Sequence, residues 1–324
     1  MGERTDYVTY VHQVYDYLHT IPEKGFEEFK TSAFVLEELK KIGFEDIKTG
    51  VAGTGIIVTI DSGKEGPVLG LRADMDALEF IIDGKKTMIH ACGHDGHVAI
   101  LLATAKILAE HRDSFKGCIK FIFEHGEEKF PGGAKALVHA GVMEHPHVDS
   151  IIGLHIVPSD ECGRIRIKSG PVAIGCDVVN VKIRGKSGHA ARPHEAHDAL
   201  LASCQYVVAL QQIISRNIDP KNTEIISVGT LNAGTAVNII ADHARLSMNV
   251  RSYDIASRDI TKRKLYDIAD GIGKITDCAF ELEYVDGYEP TINHEGVAEL
   301  VADACRKHLG GDSVEIGDYD LGSD

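Results

Sequence analysis

The sequence lacks any apolar run approaching the roughly 18 residues that a helical membrane span requires, so no transmembrane helix is expected. It also lacks an excess of positive charge. Lys and Arg number 34 against 49 Asp and Glu, a formal net charge of −15. So acidic a chain repels phosphate backbones, which argues against nucleic acid as a partner. The opening residues, Met1-Gly2-Glu3-Arg4-Thr5-Asp6, lack the basic-then-apolar pattern of a secretory signal. The seven cysteines lack a framework of spacings and are odd in number. Reduced thiols fit that better than disulfides, so the expected location is cytoplasmic. Internal repeats, low-complexity segments and long linkers are missing as well. What remains is an ordinary globular composition, 44% hydrophobic and 26% charged, which excludes disordered, collagen-like and coiled-coil chains. At 324 residues it exceeds what one core usually holds, so two domains are expected. The feature in surplus is histidine, 17 residues, many beside acids or a cysteine.

Val8, Val11, Tyr15 and Leu18 recur at helical spacing, and a second helix is predicted over 31–42, stopping at Gly43. Short apolar runs at 56–60 and 68–71 read as strands. A long helix at 96–110, a strand at 118–123, a helix at 134–142 and a strand at 151–154 follow. Strands alternating with helices predict a mostly parallel sheet covered on both faces. The rhythm then changes to strand 178–183, helix 199–214, strands 224–231 and 244–250, helix 260–275 and strand 279–284. That β-α-β-β-α-β order is the pattern of a ferredoxin-like unit. The expected organisation is a first domain over 1–173, an insert over 174–286, and a return to the first domain over 287–324.

The densest chemistry is His90-Ala91-Cys92-Gly93-His94-Asp95-Gly96-His97. Thiolate and imidazole are both good ligands for zinc-like ions, and two glycines let the backbone turn tightly enough for them to converge. Other candidates follow expected strands, where an open α/β sheet builds its sites. These are Arg72-Ala73-Asp74-Met75-Asp76, Glu124-His125-Gly126-Glu127-Glu128, and His155. One histidine after a strand is usually a satisfied structural residue, and one carboxylate pair is usually a solvated face. Three strand ends of this kind beside the histidine-rich octet point to a metal site. Paired glutamates suit metal-assisted hydrolysis because one can coordinate the ion while its neighbour takes a proton from water that the cation has acidified. In the insert, Gly185-Lys186-Ser187-Gly188-His189-Ala190-Ala191-Arg192-Pro193-His194 offers His189 as a substrate contact or as a plain loop residue. Asn238 and Arg251 are nondescript by themselves.

Taken together, these stretches resemble the metal-dependent amidohydrolases of the aminoacylase and glutamate carboxypeptidase type. The nearest branch holds hippurate hydrolases, N-acetyl-diaminopimelate deacetylases and plant auxin-conjugate hydrolases. The resemblance begins at Leu18-His19-Thr20-Ile21-Pro22-Glu23-Lys24-Gly25-Phe26-Glu27-Glu28 and runs the length of the chain in the family's order. It implies an α/β fold, with a di-metal aminopeptidase-like catalytic domain and an inserted ferredoxin-like lid and dimerisation domain. It implies that Cys92, His94, Glu128 and His155 ligate two divalent ions (zinc, manganese, nickel or cobalt), that Glu127 is the general base, and that Asp76 steadies the ligands. His189 would polarise the scissile carbonyl or steady the oxyanion, often from the partner subunit of a homodimer. Asn238 and Arg251 would meet the substrate, Arg251 through its carboxylate. The implied reaction is deacylation of an N-acyl amino acid. A dipeptidase of the same family, and a catalytically silent metal-binding relative, are the alternatives.

Departures from the family pattern accompany this. One more histidine ligand is implied beyond Gly322-Ser323-Asp324, so the sequence is expected to stop mid-domain, with the second ion held less firmly. Glu124-His125-Gly126 replaces the more usual Gln-Pro-Ala, and Glu79 stands where proline is common. Both changes are expected to line the approach to the site and to bear on substrate choice.

Overall fold

The structure is a computed structural model that describes residues 2–158 and 160–317; Gly322-Ser323-Asp324 lie outside the described residues. Chain contacts divide it into two units, Met1–Cys162 and Gly163–Asp324. Among the described residues no helix is long and apolar enough to cross a membrane.

The first unit contains α1 (Gly2–His19), α2 (Phe29–Ile42), β1 (Ile47–Val51), β2 (Gly55–Asp61), β3 (Val68–Asp74), β4 (Leu78–Ile82), β5 (Lys85–Ile89), α3 (His94–Glu110), β6 (Cys118–Glu124), α4 (Gly133–His139) and β7 (Ser150–Gly153). On α1 the buried residues are Val14 and Leu18, whereas Val8 is exposed, so the apolar stripe is turned from the expected one. α2 stops where the sequence predicts, because Gly43 adopts φ 107° and returns its N–H to the last carbonyls. Val35 and Leu39 of α2 and Val98, Leu101 and Leu102 of α3 pack with Val58, Phe121 and Phe123 of the sheet. Burying each such side chain is worth about 1.5–3 kcal/mol.

The sheet order is β1-β2-β6-β3-β7. It is mixed rather than mostly parallel: β1–β2 and β2–β6 are antiparallel, while β3–β6 and β3–β7 are parallel. The short link between Val51 and Gly55 explains the first pair, since a parallel crossover needs a dozen residues or more. The parallel half positions the site. Asp74 lies opposite Glu124 and Arg72 opposite Gly153, so β3, β6 and β7 end side by side. Lys120, buried near the start of β6, ties the sheet to the chain before β7 by donating to the carbonyls of Val142, Glu144 and Pro146 at 2.8, 2.9 and 2.8 Å. Between Ala77 and His90 the sequence reading missed a hairpin, β4–β5. Asp83 and Gly84 both have positive φ (50° and 76°), as a two-residue mirror-image turn demands.

The second unit contains β8 (Ile165–Ile167), β9 (Gly170–Ala173), β10 (Gly175–Arg184), β11 (Gly188–His189), α5 (Ala199–Asn217), β12 (Glu224–Ala233), β13 (Ile239–Ile240), β14 (His243–Ser252), α6 (Ile255–Thr276), β15 (Ala279–Tyr288), β16 (Thr291–Asn293), α7 (Glu295–Leu309) and β17 (Val314–Ile316). Its main sheet, ordered β12-β14-β10-β15, is antiparallel throughout and follows the ferredoxin-like plan. Tyr206, Leu210 and Ile213 of α5 and Leu265 of α6 pack with Val179, Val181, Ile183, Leu246 and Met248 of the strands. α6 starts five residues before its predicted position because the Asp254 side chain accepts the Ser257 N–H and caps it there. A smaller cluster joins α7 (Ala298, Ala302) to Ile167 of β8 and Val314 of β17.

Candidate metal centre

Three loops leave the aligned ends of β3, β6 and β7 and bring the expected donors together. Asp76 follows β3 and is fully buried. Its Oδ1 faces His94 Nδ1 at 3.2 Å, and its Oδ2 accepts the Glu128 N–H at 2.9 Å. With its proton directed at Asp76, His94 turns Nε2 the other way. That atom is buried, has no hydrogen-bond partner, and lies 3.7 Å from Asp74 Oδ2, 3.9 Å from Glu128 Oε1 and 4.0 Å from Glu127 Oε2. An unpartnered imidazole nitrogen among carboxylates is costly unless a cation joins them.

Cys92 precedes α3, which begins at His94, two residues sooner than the sequence predicts; Gly93, at φ 91°, makes the turn between them. Cys92 Sγ is 3.3 Å from His155 Nε2, and His155 Nδ1 faces the Ile156 carbonyl at 2.8 Å. Among the described residues donor atoms converge in three sets: Cys92, His94 and His155; Asp76, His94 and Glu127; and Asp74, His94 and His97. Thiolate, imidazole and carboxylate together suit a divalent transition ion, so the residues present fit the metal they would hold. His97 is the exception. Its Nδ1 lies 2.6 Å from Asp74 Oδ1, and its Nε2 accepts the Ile156 N–H at 2.9 Å, so neither nitrogen is left to ligate.

Electrostatics match this arrangement. Burial pushes the Glu127 carboxyl up to about 8, with Arg72 opposing and Asp74 and Glu128 reinforcing. Burial lowers His94, but the Asp76 hydrogen bond and the nearby carboxylates more than reverse that, to about 9. Both groups therefore hold protons at neutral pH that a cation would displace.

Sequence reasoning gave no role to several supports. Arg72 links Asp74 and Glu124, each at 2.7 Å. Glu28 accepts the Gly126 N–H at 2.7 Å and the Phe26 N–H at 2.8 Å, fixing the backbone ahead of Glu127. Its signal was the run Phe26-Glu27-Glu28, read only as part of the resemblance. Glu124 and His125 were expected to line an approach. They are instead 3% and 0% exposed, Glu124 in the strand against Arg72 and His125 packed on Gly53, Gly55 and the edge of Phe26.

In the second unit β11 pairs with β13, placing His189 opposite Ile239, and Ala190 N–H donates to the Asn238 carbonyl at 3.1 Å. The Ala191 N–H donates to His189 Nδ1 at 3.1 Å, so in the neutral ring the proton sits on exposed Nε2. Arg251 is elsewhere, its Nε donating to Asn249 Oδ1 at 2.8 Å. It lies eight residues along β14 from His243, the end nearest β11, which is about 26 Å at a strand's rise. The structure thus brings His189 and Asn238 together and leaves Arg251 apart.

Residues 70–324 match the model of peptidase family M20/M25/M40. An N-acyl-L-amino acid amidohydrolase of Geobacillus stearothermophilus is 39% identical over 287 residues, which are 86% of this chain and 76% of that protein. A crystal structure of a protein from methicillin-resistant Staphylococcus aureus, described by inference as an aminohydrolase, superposes with a TM-score of 0.91 at 32% identity, covering 98% of this chain and 82% of that one. A dinuclear metal-binding peptidase of family M20 from Bacillus subtilis superposes at 0.82 with 26% identity, covering 98% and 84%. The chain belongs to peptidase family M20/M25/M40 and is a hydrolase of that family.

Proposed function

We propose that this enzyme hydrolyses the amide bond of N-acyl amino acids. The observation that carries the reading is the place of Glu127: a buried carboxyl 4.0 Å from the unpartnered nitrogen of His94, beside the converging donors, where it can take a proton from water. The amidohydrolase likeness supports the substrate class.

In this reading Cys92, His94, Glu128 and His155 hold two divalent ions, of zinc, manganese, nickel or cobalt. When bound, such ions polarise a carbonyl and acidify water. The chain's own residues do the rest. Asp76 fixes the Nδ1 side of His94 and the backbone of Glu128, so both donors face one place. Glu127 takes the proton of the attacking water and returns it to the leaving amine. His189, with its proton on Nε2, donates to the oxyanion. Asn238 acts beside it, and Arg251 pairs with the amino acid carboxylate.

Within one copy, about 26 Å of β14 separates Arg251 from the end nearest His189, more than an N-acyl amino acid spans. That supports a homodimer in which each substrate meets His189 of one copy and Arg251 of the other. The same reading takes 1–173 with 287–324 as catalytic domain and 174–286 as lid and dimerisation domain.

The test is release of free amine from a pool of N-acyl amino acids, with manganese or zinc added and a chelator as control. Metal-dependent release with the matching product masses is expected. Release from unblocked dipeptides alone would replace the reading with a dipeptidase.

A further inference from the structure

His97 stands in the metal-binding turn and, by its hydrogen bonds, ligates nothing. A backbone N–H can only donate, so the Ile156 amide at 2.9 Å requires a lone pair on His97 Nε2. The ring proton then sits on Nδ1, 2.6 Å from Asp74 Oδ1. One tautomer satisfies both contacts. Asp74 is held in turn by Arg72 at 2.7 Å.

Ile156 directly follows His155. Its carbonyl takes the His155 Nδ1 contact at 2.8 Å, and the opposite nitrogen of that ring points at Cys92 Sγ, 3.3 Å away. Both main-chain polar groups of Ile156 are thus engaged, the N–H by His97 and the carbonyl by His155. Its side chain is seated as well. A Cβ on Gly96 would come within 2.5 Å of Ile156 Cδ1, and one on Gly93 within 3.5 Å of its Cβ. Gly93, Gly96 and His97 all belong to the turn that carries Cys92 and His94. The element supplying two donors therefore also seats the residue that aims a third.

We propose that His97 is a positioning residue of the metal centre: by holding Ile156 it fixes the ring of His155, and so sets the affinity for the ion that His155 shares with Cys92 and His94. This rests on the reading of His155 as a ligand. A ligating histidine is usually fixed by an acceptor at its far nitrogen, at a cost of about 10–100-fold in metal affinity when that acceptor is lost. Here the acceptor is a carbonyl that a second histidine tethers.

The experiment titrates the metal-free chain with zinc against a chromophoric chelator, resolving the two binding constants. It uses the wild type, His97→Ala, His97→Gln, His155→Ala and the double His97→Ala/His155→Ala variant. His97→Ala weakens one ion by about 10–100-fold and leaves the other in place. His97→Gln, which keeps an acceptor for Ile156 and a donor for Asp74, recovers most of that loss. The double variant binds no worse than His155→Ala, because His97 acts only through His155.

Additive losses in the double variant, an equal loss for both ions, or no loss in His97→Ala overturns the proposal. Should His97→Ala fail to fold, Ile156→Pro, which removes the amide proton that His97 accepts, must weaken the same single ion; two unchanged constants overturn the proposal. If His155→Ala itself leaves both constants unchanged, the ligand assignment fails instead, and the two failures are told apart.

Discussion

Asp76 accepts the Glu128 N–H at 2.9 Å on one carboxylate oxygen while the other faces His94 Nδ1 at 3.2 Å. One buried side chain thus sets the spacing between a helix-borne imidazole and a loop-borne carboxylate that are 34 residues apart in sequence. Asp76→Ala frees both. Metal affinity is expected to fall by about 10–100-fold, read by chelator competition. Asp76→Asn, which keeps an acceptor for Glu128, is expected to lose less than Asp76→Ala; equal losses would contradict the two-sided role.

The protons held by Glu127 and His94 make the metal-free chain pH-sensitive. Folding raises Glu127 from the usual 4.5 to about 8, so between those values the folded chain binds a proton that the unfolded chain releases, and stability falls as pH rises. Folding raises His94 from 6.5 to about 9, so its contribution is complete below 6.5 and is lost as pH rises through 9. Both slopes have the same sign. The melting temperature with chelator is expected to drop from pH 6 to pH 9, and saturating zinc should flatten the curve by replacing the protons. A chelated chain that gains stability with pH in this window would contradict the assignment.

Gly126 has φ 63°, and a Cβ there would approach the Phe26 ring to 2.7 Å. Gly126→Ala therefore strains the backbone beside Glu127 and overpacks Phe26, costing about 1–3 kcal/mol. Denaturant titration checks the stability, and a kcat that falls while the chain remains folded shows that Glu127 has shifted.

His189 exposes Nε2 with its proton, which suits donation to an oxyanion. His189→Ala is expected to lower kcat by about 10²–10³-fold, the loss typical of one such donor, with metal content unchanged. Unchanged kinetics would make it a loop residue.

Most of this architecture was legible in the sequence because apolar spacing and turn residues agree locally. Gly43 ended α2, and the β-α-β-β-α-β rhythm of the second unit was readable as a pattern. The direction of β2 was not legible, since pairing across the sheet is decided by distant strands. Asp83-Gly84 did carry a local hairpin signal that went unread. At the site, donor types pointed to the octet 90–97, the Glu127-Glu128 pair and His155, the family resemblance singled out Cys92 and His94 within the octet, and the structure places these five near one another. The roles of Glu28, Arg72 and His97 were not legible, because a carboxylate, guanidinium or imidazole serving a backbone amide or a second charge looks like any other until the fold places it.

The assignment of Glu127 as base rather than ligand is tested most directly by measuring metal content and kcat on the same preparation of Glu127→Gln. The glutamine is nearly isosteric but cannot take the proton. Two ions per chain with kcat lowered by about 10²–10⁴-fold is the predicted result. Loss of an ion, or turnover close to wild type, would contradict it.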